Sequence, residues 1–135
     1  MKNEVQILTA KVLLLKEARL KLLQLHKLFV DVERGDYERR NGQVSSGQFL
    51  NLLVNDASFQ WLRKFSTLIV EIDEMFELDD GYTKHMVEKY ISQINNLVNL
   101  ELADEEFINK YENFIQRNTE IAVKHSEIRK LLTDK

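Results

Sequence analysis

Phe107, Tyr111, Phe114, Asn118, Ile121, His125, Ile128 and Leu132 recur at alternating steps of four and three. An α-helix makes a turn every 3.6 residues, so this spacing lays all eight along one side of a helix. The stripe is apolar except for Asn118 and His125. It predicts one long final helix, capped by Asp104, with that side turned to a core. Glu105 and Glu106 suit the positive dipole end of such a helix, and His125, Arg129 and Lys130 the negative end. The two polar members of the stripe are expected to hydrogen-bond inside the bundle and fix register; the competing expectation is a polar patch in a pocket. The same design repeats through a chain with no proline, and no segment alternates with period two.

Upstream, residues 3–40 predict a first helix with Leu8, Lys11, Leu15, Ala18, Leu22, Leu25, Phe29 and Val32 at heptad-like spacing. Leu13, Leu14, Leu20, Leu23, Leu28 and Val30 lie off that stripe, so its apolar surface is wider than one seam. At 1.5 Å per residue it would measure roughly 55 Å. Either one end projects or a second copy covers it. Gly42 suits its C-terminal cap. Ser45 and Gln48 form a capping-box pattern before a short helix of about 46–54. Asp56 or Ser58 caps the next, about 57–77, which buries Phe59, Leu62, Phe65, Ile69, Ile72 and Phe76. Asp79-Asp80-Gly81 marks a turn, and a helix of about 81–100 follows. Short connections predict an all-α fold: an antiparallel up-and-down four-helix bundle with one extra short helix, as a single domain over 1–135.

With 44% apolar residues in 135, the chain can bury a real core without staples. No cysteine is present, which excludes disulfides, thiolate metal sites and a cysteine nucleophile. A net charge of −3 argues against general nucleic-acid affinity. The charge is uneven: residues 1–40 carry nine Lys/Arg against six Asp/Glu, and residues 41–80 carry two against seven. A basic first helix is therefore expected beside an acidic middle segment. No apolar run approaches the length of a membrane span, and no secretory signal is expected from the N-terminus.

The three histidines, His26, His85 and His125, are preceded three residues earlier by Leu23, Tyr82 and Ala122. The Glu-x-x-His motif of di-metal carboxylate bundles is thus absent. A metal-binding bundle using His26 or His125 with nearby carboxylates stays as an alternative reading. The acidic run from Glu71 to Asp80 lacks the spacing of a calcium loop. No nucleophile elbow or phosphate loop occurs, and the chain has only four glycines. Polar residues do recur beside the apolar stripes: Arg19, His26 and Glu33 at sevens on the first helix, Ser66 and Asp73 on the third. With those helices antiparallel, Arg19 or His26 would reach Asp73, and Glu33 would approach Arg63. Trp61, the only tryptophan, is expected either at the core margin or as an exposed anchor for a partner.

Leu25-His26-Lys27, Asp31-Val32-Glu33-Arg34, Tyr37-Glu38, Gly47-Gln48, Asn55-Asp56, Phe59, Trp61-Leu62-Arg63, Ser66, Leu68-Ile69-Val70 and Ile72-Asp73-Glu74 carry a resemblance over residues 22–77. They resemble an uncharacterised family of short bacterial all-helical proteins. Ala57 and Lys64 stand where such proteins often have proline. The resemblance implies no reaction. It implies a functional surface between the first helix and the 46–77 segment. His26, Glu33, Tyr37, Asp56, Trp61, Arg63, Ser66 and Asp73 are therefore the candidate ligand or partner site. The function expected is protein–protein interaction by a small cytoplasmic bacterial bundle, with a homodimer as one form and no cofactor. A ligand-binding or catalytic bundle is the alternative.

Overall fold

The computed structural model describes residues 3–102 and 104–133; the stretch read for a secretory signal begins with two residues outside them. The described residues are all helical or connecting. The elements are α1 (Glu4–Asn41), α2 (Ser46–Asn55), a 3-10 segment (Ala57–Leu62), α3 (Arg63–Phe76), α4 (Lys84–Val98), α5 (Glu105–Arg117) and α6 (Thr119–Thr133).

Helix ends follow their capping chemistry. Asn3 and Gln6 make a reciprocal capping box at the start of α1, as Ser45 and Gln48 do for α2. Asp56 accepts from Ser58 N at 2.8 Å and starts the 3-10 segment, and Asp104 accepts from Phe107 N at 3.1 Å to start α5. Gly42 ends α1 with φ of 88°, a conformation that suits a residue without Cβ.

Two expected helices are each divided. The 57–77 helix opens as a 3-10 segment before turning α-helical at Arg63. More consequentially, the 107–132 stripe does not run along one helix. Asn118 is extended (φ −137°, ψ 115°), its N–H closes α5, and its side chain accepts from Ile121 N at 3.2 Å to cap α6. The chain folds back there. Tyr111 Oη lies 2.8 Å from His125 Nδ1, whereas fourteen residues of continuous helix would span roughly 21 Å. Asn118 is therefore a cap and not a buried register residue.

The helix α1 is the element around which α3, α4 and α6 pack. Arg19 meets Asp73, His26 meets Phe65 and Glu33 meets Trp61, so α3 and the segment before it run antiparallel to α1. From Arg117 at the end of α5 beside Asp36 to Glu127 of α6 beside Lys21, α6 also runs back along α1. On α1 the buried side chains are Leu15, Ala18, Leu22, Leu25, Phe29 and Glu33. That is the expected stripe from Leu15 to Phe29 with the Glu33 carboxylate beyond it; Leu8, Lys11 and Val32 are only partly buried. Phe29, Phe59, Trp61, Phe65, Phe107, Tyr111 and Phe114 form an aromatic centre, with Phe29 at 5.0 to 5.8 Å between ring centroids from Trp61, Phe65, Tyr111 and Phe114.

Candidate functional site

The expected polar site between α1 and the 57–76 segment contains one buried carboxylate. Glu33 is 5% exposed, set among aromatic rings at the end of the α1 stripe. Burying a carboxylate without partners would cost several kcal/mol, and two donors offset that cost here. Trp61 Nε1 donates to Oε2 at 2.7 Å, and Lys110 Nζ reaches the same oxygen at 3.4 Å from α5. Lys110 also donates to Ser58 O at 3.3 Å. This ties α1, the 3-10 segment and α5 together.

The other candidates lie around it in separate roles. Arg19 makes the crossing to Asp73, with paired bonds of 2.9 and 2.7 Å. His26 lies against Phe65, 6.1 Å between ring centroids, and burial holds its pKa below the ordinary value. Tyr37 packs against Phe59. Asp56 is occupied by Ser58, whose N–H and hydroxyl keep its carboxyl low. Ser66 donates to its own helix at Arg63 O. Arg63 donates to Val54 O at the end of α2 and does not pair with Glu33. Trp61 is 4% exposed and belongs to the core, which removes the reading of an exposed anchor. Lys110 escaped sequence reasoning, because only the fold brings α5 to Glu33.

The eight side chains do not share one cavity. A cleft of about 740 Å³ lies on the other side of the 3-10 segment and α3, against α4 and the start of α5. Of the eight, it takes only Trp61 and Arg63. Leu68, Leu97 and Leu102 add apolar wall, and Lys64 reaches across to Asp104 at 3.4 Å. Among the described residues no group of three or more His, Asp or Glu is placed to hold a metal ion.

A second surface is the outer face of α1, opposite its buried stripe. Leu13, Leu20 and Leu23 are 63%, 49% and 38% exposed, and Val5 continues the line toward the N-terminal end. Lys16 and Lys27 stand between and beyond them at the same helical spacing. These leucines are three of the six off-stripe apolar residues of the first helix; Leu14, Leu28 and Val30 pack against the core, while Leu13, Leu20 and Leu23 stay exposed.

No helix among the described residues is long and apolar enough to cross a membrane. No family model, curated protein or solved structure matches this chain, so neither a family nor an activity comes to it from likeness to known proteins.

Proposed function

We propose that this protein is a binding module that docks a protein partner along the outer face of α1, and that a second copy of the chain is the partner that face fits. The observation that carries this is the line of exposed leucines. Leu13, Lys16, Leu20, Leu23 and Lys27 repeat at steps of three and four, the seam on which two helices pair. Large apolar side chains aligned on a surface mark interaction sites more often than isolated ones do. Lysines on such a seam lower its stability, so association is weak and reversible.

The wider reading is of a bacterial cytoplasmic protein. The resemblance over residues 22–77 supports the source, and the lack of cysteine fits a reducing compartment. The helices are read as an up-and-down four-helix bundle of α1, α3, α4 and α6, with α2 and α5 as added shorter helices. Sedimentation velocity over a concentration series tests the docking face. Wild type should shift toward dimer as concentration rises, and Leu13→Glu/Leu20→Glu should stay monomeric with an unchanged unfolding temperature. A wild-type chain that stays monomeric throughout overturns the second copy as partner.

A further inference from the structure

A smaller cavity, about 300 Å³, opens between the end of α4, α5 and α6. Val98, Leu100 and Ile115 give it apolar wall, Asn99 and Gln116 carry amides, and His125, Arg129 and Glu112 bring titratable or charged groups. None of these residues comes from α1, so the cavity is separate from the proposed docking face.

The ring of His125 is fixed in this wall by a buried neighbour. Tyr111 is fully buried, its ring meets the imidazole edge-on at 5.2 Å, and its hydroxyl lies 2.8 Å from Nδ1. Burial pushes the Tyr111 hydroxyl far above its ordinary pKa, so it keeps its proton, and with Nδ1 its one partner among the described residues, that buried proton is satisfied by donating to Nδ1. The imidazole proton then belongs on Nε2. No buried side-chain nitrogen or oxygen of the described residues lacks a partner, and no described residue bonds to Nε2. Nε2–H is therefore the ring group that reaches the cavity as a donor. Arg129 follows it by four residues, one turn along the same face of α6, and its positive charge acts on the His125 ring.

The wall itself is held at some backbone cost. Leu100 takes φ of 59°, the only positive value at a non-glycine residue described. It closes α4 with Leu100 N to Leu97 O at 3.3 Å and Glu101 N to Asn96 O at 2.9 Å. Glycine is the usual residue at that cap position. Here a leucine side chain lines the cavity instead. Strained residues kept in this way concentrate at binding sites.

We propose that this cavity binds a small carboxylate, with its oxygens on the Arg129 guanidinium and the His125 Nε2–H and its short apolar tail against Val98, Leu100 and Ile115. A planar carboxylate matches the guanidinium fork. A phosphate fits less well, because Glu112 opposes a second negative charge. The test titrates butyrate into the full chain and follows the imidazole nitrogen signals of His125, identified by their loss in His125→Gln. A saturable shift is expected in wild type. It should weaken at least tenfold in Arg129→Gln, whose helix content serves as the folding control, and tighten several-fold in Glu112→Gln. A shift that never saturates, or one equally strong in Arg129→Gln, overturns the site. Tighter binding of inorganic phosphate than of butyrate overturns the carboxylate assignment.

Discussion

At the scale of single residues, Glu33 shows how a charge comes to lie in an aromatic core. A hydrogen bond to a charged acceptor contributes about 1.5–3 kcal/mol, and an uncompensated buried charge costs more than the bond it lost. Trp61→Phe keeps much of the ring packing but removes the 2.7 Å donor. It should destabilise the fold by about 2–4 kcal/mol in urea unfolding. Glu33→Gln keeps an acceptor for the indole and removes the charge, and should cost only about 1 kcal/mol. Equal losses for the two would mean that the carboxylate's charge counts as much as its indole donor. The histidines set a different dependence. Burial lowers the pKa of His26, and burial with the Arg129 charge lowers that of His125, from an ordinary 6.5. The unfolded chain therefore takes up protons first, so stability is full above about pH 6.5 and falls as pH drops toward the folded-state values. Glu88, Asp104 and Glu127 act further down. Lys11, the Phe107 N–H and Lys124 respectively hold their carboxyls low, and their contribution is lost only as pH falls below the ordinary carboxylate range of about 4. Unfolding temperatures should thus decline as pH falls below about 6.5 and again as it falls below about 4. His26→Gln should flatten the first decline and leave the second.

At the scale of elements, Asn118 marks what periodicity can and cannot reveal. Phe107, Tyr111 and Phe114 are buried before it and Ile121, Ile128 and Leu132 after it, as the stripe requires. A spacing rule reports which side of a helix is buried. It is blind to a single extended residue that reverses the chain and starts a second helix with its buried side in phase. The signal that was present is the residue type, since Asn at the head of Thr-Glu-Ile is a good N-cap. The capping box at Ser45 and the acidic caps at Asp56 and Asp104 were legible because they lie at breaks in the apolar pattern. Asn118 lies inside it. Asn118→Ala leaves the Ile121 N–H without its 3.2 Å acceptor and should lower stability by about 1 kcal/mol, read as a drop of a few degrees in unfolding temperature. An unchanged or raised stability would show that the turn is held by the Tyr111–His125 contact and not by the cap.

At the scale of the whole molecule, two kinds of contact hold the helices to α1, and they differ in strength. Lys11–Glu88, Arg19–Asp73 and Lys21–Glu127 join α1 to α4, α3 and α6. Only the Arg19–Asp73 crossing, legible from two seven-residue spacings, joins the basic first helix to the acidic 41–80 segment; Glu88 and Glu127 lie beyond it. All three pairs are partly exposed, where an ion pair contributes about 1 kcal/mol or less. Phe29 lies in the other kind of contact. Its ring touches side chains of the 3-10 segment, α3 and α5 at once, a convergence that no spacing on α1 alone could announce. Removing a buried phenylalanine costs about 3–5 kcal/mol, the lost burial plus the cavity left behind. Domains of this size hold only about 5–15 kcal/mol in total. Phe29→Ala should therefore bring the chain near the limit of folding, while Arg19→Gln should cost under about 1 kcal/mol and leave the unfolding transition as steep as before. The two variants compared in urea at low and at high salt decide which contact governs. If Arg19→Gln proves as damaging as Phe29→Ala, and the damage vanishes at high salt, then charge pairing rather than the aromatic centre orders the helices around α1.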